Sequence, residues 1–118
     1  MREHLYHYRA TVLSVYDGDT CTLDIDLGLH SWVRDEKVRL ARINAPELRG
    51  AEREAGLAAR DYLRTRIDGR QVWIQTIKDR KGKYGRYIAE IWLEDEPEVF
   101  INLSDELVNT GHAAYHAY

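Results

Sequence analysis

The sequence predicts an α+β fold that is mainly β, with a barrel of five strands and two helices. Three observations support this prediction. Apolar and polar residues alternate cleanly over residues 20–27, as in a strand with one buried face. An apolar helical face recurs over residues 51–67. The two prolines, Pro46 and Pro97, lie between periodic segments and interrupt none of them.

The elements are expected in one order along the chain. Strands are predicted at residues 7–15, 20–27, 37–43, 72–77 and 87–93, and helices at 51–67 and about 103–109. Asp17-Gly18-Asp19 marks the first turn, and residues 28–36 are expected to form a long, charged hairpin tip that carries Trp32. This order, with one helix between strands 3 and 4 and a second near the C-terminus, is typical of a five-stranded Greek-key barrel of the oligonucleotide-binding (OB) type.

Length and composition predict one domain over residues 1–118. A chain of 118 residues has ordinary domain size, and 44% apolar with 31% charged residues is unlike the composition of disordered chains. The single cysteine, Cys21, leaves no intramolecular disulfide and too few thiolates for a cysteine-based zinc site. We expect the domain to act as a monomer.

Neither a membrane segment nor a signal peptide is predicted. No stretch approaches the ~18 consecutive apolar residues of a membrane span, and residues 1–8 are too polar for a secretory signal. The expected location is therefore the cytoplasm, with no membrane partner.

The charge of the chain is distributed unevenly. The net charge is −3, yet residues 60–90 carry nine Lys or Arg against four Asp or Glu, whereas residues 91–118 carry six Asp or Glu and no Lys or Arg. A weakly acidic protein with one basic stretch suits local contact with phosphates better than capture of nucleic acid by its whole surface.

Four short motifs contain the residues that could carry chemistry. They are Asp17-Gly18-Asp19-Thr20, the segment 38–47 with Arg39, Asn44 and Glu47, the basic loop 81–86, and the terminal tyrosines Tyr115 and Tyr118. Each has a structural alternative when taken alone: a hairpin turn, a solvated arginine, a charged turn, or tyrosines packed on the barrel. On a strand, Arg39 and Arg42 would face opposite sides, which leaves one of them for a given site. The basic loop combines cations with Tyr84, and is able to contact phosphate and stack on a base.

In this order and spacing, the motifs resemble the staphylococcal nuclease (thermonuclease) family over about residues 8–115. The resemblance rests on Asp-Gly-Asp-Thr after a strand, on Val-Arg-Leu and Ala-Pro-Glu further along, and on Lys-Tyr-Gly-Arg before a later strand. It implies a metal-dependent phosphodiesterase that acts on DNA and/or RNA. The resemblance further implies Ca²⁺ as the usual cation, with Mg²⁺ or another hard divalent cation as the alternative.

The resemblance also implies roles for individual residues. Arg39 and Arg86 match the arginines that clamp the scissile phosphate, and Glu47 matches the glutamate that orients or deprotonates the attacking water. Lys83 and Tyr84, together with Tyr115, are expected to contact the nucleic acid.

The implied metal site differs at one ligand from that of the family's type member. Asp19 matches the principal metal carboxylate, Asp17 a companion that acts through water, and Ala45 offers its main-chain carbonyl. Asn44 stands where the type member has an aspartate. Because an amide oxygen is still a common ligand of hard cations, we expect weaker metal binding rather than none.

A second class of function is open at this stage, namely a catalytically silent OB-type module that binds nucleic acid or a protein partner. The chain retains Asp19, Arg39, Glu47 and Arg86. A complete set of charged site groups has no evident structural use, which favours the enzyme.

Overall fold

The computed structural model describes residues 7–77 and 86–116. Its strands are β1 His7–Asp17, β2 Thr20–Gly28, β3 Ser31–Leu40, β4 Ile43–Asn44, β5 Gln71–Thr76, β6 Tyr87–Glu96, β7 Val99–Asn102 and β8 Ala114–Tyr115, and its helices are α1 Arg53–Ile67 and α2 Leu103–Asn109. A 3-10 turn at Gly50–Glu52 leads into α1.

Five of the strands close into a barrel. The first, β1, lies between β2 and β5 in antiparallel pairings, β2 pairs with β3, and β5 pairs with β6. The barrel closes where β3 and β6 run in parallel, with Val38 opposite Tyr87 and Arg39 opposite Ile88. The predicted mainly β, five-stranded OB-type barrel with two helices is therefore confirmed.

The core fills the barrel and the space beneath α1. Cys21, Leu23 and Ile25 are buried on one face of β2, as their alternation predicts. Leu27 on the same strand is 47% exposed because it lies near the hairpin end. Burial raises the pKa of the Cys21 thiol to about 12, so this side chain is an inert part of the core.

The predicted hairpin tip at residues 28–36 is wrong. Only Leu29 and His30 form the turn, both with positive φ, and β3 already begins at Ser31. The carboxylate of Asp24 holds the returning strand, because it accepts hydrogen bonds from the Arg34 side chain at 2.9 Å and from the Asp35 amide at 3.0 Å. Leucine and histidine rarely adopt this backbone, so the turn carries no sequence signal.

The third strand also ends earlier than the predicted Ile43. Strand β3 stops at Leu40, and Arg42 has a φ of 68° in the turn that follows. Three short strands, beside this turn and after β6, were not predicted. They are the pair β4 and β8, in which Ile43 lies opposite Tyr115, and β7, which pairs with the outer half of β6.

Across residues 7–77 and 86–116, no helix has the length and apolarity needed to cross a membrane.

Candidate functional site

The turn between β1 and β2 brings two carboxylates together. The amide of Asp19 donates to Asp17 Oδ1 at 3.0 Å. Gly18 between them was expected to permit a tight turn, but its φ is not positive. Its role is close packing, since a Cβ there would lie 2.7 Å from the Cβ atoms of both Ala45 and Ala59. A glycine thus lets this turn pack on α1 and on the segment after β4.

The Asp19 carboxylate is buried and held by three contacts. Its Oδ2 accepts from the Ala45 amide at 2.8 Å and lies 3.2 Å from Arg39 Nη1, while its Oδ1 accepts from the Thr20 hydroxyl at 3.1 Å. Because a buried carboxylate is stable only when it is paired and hydrogen-bonded, these contacts fix the position of Asp19.

Arg39 lies between Asp19 and Asn44. Its Nη2 donates to Asn44 Oδ1, and its Nη1 donates to the carbonyl of Leu40 at 3.3 Å. Only 11% of the Arg39 side chain is exposed. The guanidinium is therefore held in one orientation, with its charge partly shielded from water.

Barrel closure brings Arg86 to the same place from the other end of the chain. Arg86 immediately precedes β6, whose first residue, Tyr87, lies opposite Val38 in the parallel pairing. The Nη1 atom of Arg86 donates to the Thr20 hydroxyl at 3.3 Å. Thr20 thus bridges Arg86 and Asp19, a role that no sequence motif indicated.

Glu47 lies at the rim, on the segment that links β4 to α1. Its side chain is exposed and lines a cleft of about 940 Å³ together with Thr20 and Arg86. Helix α1 packs directly on its backbone, because a Cβ at Gly56 would lie 2.1 Å from the Glu47 carbonyl oxygen. Gly56 therefore positions the backbone of Glu47. This role of Gly56 was not predicted from the sequence.

Gly56→Ala is expected to destabilise the protein by roughly 1–3 kcal/mol, the usual cost of overpacking. At an ordinary position inside a helix, replacing glycine with alanine instead stabilises the protein by about 0.5–1 kcal/mol. Unfolding by denaturant measures the change, with Ala58→Ser at an exposed position of the same helix as the control. A more stable Gly56→Ala variant would show that the close approach to Glu47 is unimportant.

The oxygen-rich donors at the site suit a hard cation. Burial, and then the neighbouring Asp19 carboxylate, raise the pKa of Asp17 from 3.8 to about 6. With Asn44 and the Ala45 carbonyl, the two aspartates would offer a cation oxygen ligands of the kind that Ca²⁺ and Mg²⁺ prefer. In the described part of the chain, no three His, Cys, Asp or Glu side chains gather as a metal site. These residues would therefore offer a hard cation carboxylate, amide and main-chain carbonyl oxygens, with fewer carboxylates than a metal site built mainly of acidic side chains.

The predicted nucleic-acid contacts are only partly within the described residues. Lys83, Tyr84 and Tyr118 lie outside them. Tyr115 is half exposed in β8, where its hydroxyl donates to Asp105 Oδ1 at 2.7 Å and its ring lies 5.8 Å from the Arg42 guanidinium. Its contact with nucleic acid stays a prediction.

Arg42 has a structural role. Its predicted place on the third strand is wrong, because β3 ends at Leu40, but of the two arginines only Arg39 contacts Asp19. From its turn, Arg42 donates to both carboxylate oxygens of Glu90, at 2.6 Å and 3.0 Å, and to Asp105 at 3.0 Å. The Arg42 guanidinium, followed by the Tyr115 hydroxyl, lowers the pKa of Asp105. Arg42 thus ties the turn to β6 and α2.

Comparison with known proteins shows which protein family this chain resembles. The family described as "Staphylococcal nuclease homologue" matches residues 37–118. The "Thermonuclease" of Staphylococcus intermedius is 33% identical over 88 residues, which cover 72% of this chain and 49% of that protein. An uncharacterized protein of Methanocaldococcus jannaschii is 27% identical over 128 aligned positions, which cover 91% of this chain and 58% of that protein. The chain spans about half the length of these curated relatives. By both the matched family and the similarity to a thermonuclease, the chain belongs to the staphylococcal nuclease homologue family.

Proposed function

We propose that this chain is a metal-dependent phosphodiesterase that hydrolyses DNA and/or RNA, with Ca²⁺ as its usual cation. The observation that carries the proposal is that Arg39 on β3 and Arg86, the residue before β6, both approach one buried carboxylate. Arg39 is 3.2 Å from Asp19, and Arg86 reaches the same carboxylate through the Thr20 hydroxyl. Arg86 also lines the cleft that Glu47 borders, and positive charge held this way suits an anionic substrate such as a phosphodiester.

The two arginines clamp the phosphate that is attacked. A guanidinium donates two parallel hydrogen bonds to phosphate oxygens and keeps its charge at any usable pH. Arg39 is already oriented by Asp19 and Asn44, so little reorganisation accompanies the build-up of charge on the phosphate. Arg86 acts from the residue before the adjoining strand β6, which lets the two forks approach different oxygens.

Glu47 activates the attacking water. Its side chain is exposed and lines the same cleft as Arg86, where water and a phosphate are both able to enter. A positioned general base contributes ~10²–10⁴ in rate. The Glu47 amide donates to Glu52 Oε1 at 2.9 Å, and α1 packs on its carbonyl, so the backbone that carries this base is fixed on both sides.

Asp19, Asn44 and the Ala45 carbonyl are the groups that would hold the cation, with Asp17 as a companion that acts through water. When bound, a divalent cation supplies positive charge against the negative charge that develops on the phosphate. Asn44 adds a neutral oxygen, which lowers the affinity compared with an aspartate at that position.

Cleavage assays with and without a cation test the proposal. The purified protein is incubated with single-stranded and duplex DNA and RNA in Ca²⁺, in Mg²⁺ or in excess chelator, and a Glu47→Gln preparation made in parallel controls for contaminating nucleases. We expect cleavage that a chelator abolishes and added cation restores. Undiminished cleavage in chelator would contradict the cation dependence. Cleavage under none of these conditions would instead support the silent binding module.

A further inference from the structure

Strand β7 is an open edge of the six-stranded sheet. The strand order is β3, β2, β1, β5, β6, β7, so Val99–Asn102 pairs with β6 on one side only. Within residues 7–77 and 86–116, no other main-chain segment hydrogen-bonds to the opposite side of this strand. An open edge presents unpaired N–H and C=O groups, to which an extended peptide is able to add as a further strand.

The outer face beside this edge carries exposed aromatic surface. Phe100 lies opposite Glu94 on β6, and Asn102 lies opposite Trp92. Directly paired residues of antiparallel strands share a face, and Leu93, between Trp92 and Glu94, is buried in the core. The four paired side chains therefore lie together on the outside of the barrel. Phe100 is 50% exposed, so half of its surface is available to a partner.

A pocket of about 460 Å³ lies beside Phe100. Its lining comes from β6, β7 and α2, and includes Trp92 and Phe100 as well as the polar residues Asn102, Asp105 and Asn109. Aromatic rings attract a guanidinium or ammonium group, and carboxylate and amide oxygens accept its hydrogen bonds. The pocket therefore suits the side chain of an arginine or a lysine.

The charge around the pocket is strongly negative. All six acidic residues of the segment 91–118 lie on the β6–β7 hairpin or on α2, and this segment contains no Lys or Arg. The six are Glu94, Asp95, Glu96, Glu98, Asp105 and Glu106. Arg42 pairs with Asp105, and Arg66 pairs with Asp95 and Glu106. The other three make no ion pair with the residues that the structure describes, so the hairpin stays negatively charged.

This charge decides which partner suits the edge. A second copy of the chain would place the same acidic hairpin against the first, and like charges on adjacent strands destabilise their pairing. Nucleic acid and anionic membranes are repelled for the same reason. A basic polypeptide is attracted, and is therefore the partner with complementary charge.

We infer that β7 binds an extended segment of a partner protein, rich in arginine or lysine, as an added strand. One cation of this segment enters the pocket beside Phe100, others pair with the acids of the hairpin, and its main chain hydrogen-bonds to Val99–Asn102. The inference goes beyond the proposed function, because this surface contains none of the residues proposed for catalysis. The pocket also shares no lining residue with the cleft that Glu47 borders.

A synthetic peptide tests the edge independently of cleavage. The probe is Arg-Val repeated five times with both ends blocked, whose alternation places all cations on one face of a strand. Fluorescence anisotropy with a labelled copy gives its Kd for the full chain, and Glu-Val repeated five times is the probe of opposite charge. We expect the arginine peptide to bind, more weakly as salt is raised, and the glutamate peptide not to bind. No binding of the arginine peptide, even at low salt, would overturn the inference.

Methylated peptide separates strand addition from attraction by charge alone. Methylation of every main-chain amide of the arginine peptide keeps its charge and removes its main-chain donors. We expect binding at least ~10-fold weaker, because several hydrogen bonds to the edge are lost. Equal binding of the methylated and unmethylated peptides would contradict an added strand.

Substitutions locate the binding surface. Phe100→Ala is expected to weaken binding of the arginine peptide about 5- to 30-fold, and Phe100→Tyr to retain it. Glu94→Gln with Glu96→Gln is expected to weaken it about 2- to 30-fold. The control pair, Glu54→Gln with Asp35→Asn, removes the same charge from exposed positions on α1 and β3. Equal losses in the two pairs would show a response to net charge alone and would overturn the inference.

Two measurements test the other occupants of the edge. Sedimentation velocity is expected to show a monomer, and a labelled 12-nucleotide single strand is expected to bind Phe100→Ala and the unaltered protein equally. A dimer that Phe100→Ala dissociates would assign the edge to a second copy, and weaker binding of the single strand to this variant would assign it to nucleic acid. Either result would overturn the inference. Neither depends on cleavage, so the proposed function succeeds or fails separately.

Discussion

Glu47→Gln is expected to lower kcat by ~10²–10⁴, the contribution of a general base. Glutamine keeps the size of the side chain and its hydrogen-bonding capacity, but its amide does not accept a proton from water. The phosphate clamp of Arg39 and Arg86 is untouched, so the affinity for an oligonucleotide changes little. The exposed side chain of Glu47 makes no hydrogen bond or ion pair within the described residues, so the melting temperature is also expected to stay the same.

Turnover, affinity and melting temperature measured on the same samples separate the possible roles of Glu47. Glu54→Gln is a matched control, because Glu54 is an exposed glutamate in the first turn of α1. A purely structural Glu47 would change the melting temperature and leave kcat unaltered. A silent binding module would cleave nothing before or after the substitution.

Arg39→Lys is expected to lower kcat by ~10²–10³, the usual effect of losing one donor that stabilises the transition state. The guanidinium of Arg39 faces Asp19 and Asn44 at once, and the planar fork leaves further N–H donors for a phosphate. A lysine ammonium keeps the charge but concentrates it at a single point. Contact with Asp19 would then compete with contact with the substrate.

Arg42→Lys makes the same chemical change three residues away and is the control. Arg42 donates to both carboxylate oxygens of Glu90, which is only 9% exposed. Losing this double contact is expected to lower the melting temperature while kcat of the folded protein is maintained. Similar losses of kcat in the two variants, with folding verified, would refute the assignment of Arg39 to the substrate.

The elements that were predicted correctly have a strong local pattern. The alternation in β2 and the apolar face of α1 both indicate which side of the element faces the core. The bounds of α2 also agree with the prediction. The prediction of a long hairpin tip was wrong because the turn residues, Leu29 and His30, are not residues that usually adopt positive φ. The predicted end of the third strand was wrong because Arg42 lies in a turn with positive φ, where its side chain binds Glu90, a residue far away in the sequence.

At the site, too, the residues within short motifs were predictable from the sequence, whereas the contacts between distant segments were not. The motifs indicated that Asp19, Arg39, Asn44 and Arg86 belong together, and the structure brings them into one network. The bridging hydroxyl of Thr20 follows from barrel closure, which only tertiary structure defines. The same holds for Gly56, whose missing Cβ makes room for the Glu47 backbone. A glycine inside a helical pattern gives no indication of what it touches.

The parallel pairing of β3 with β6 has a consequence for the protein during its own synthesis. Thr20 and Arg86, which meet only when the barrel closes, are 66 residues apart. At ~5–20 residues per second, a ribosome needs about 3–13 s to add the residues between them. Arg39 is added within that interval, and for the rest of it the nascent chain has this arginine but neither Arg86 nor the strand that seals the barrel. The contact of Arg86 with Thr20, and through Thr20 with Asp19, therefore forms only after the residues up to Arg86 have been synthesised.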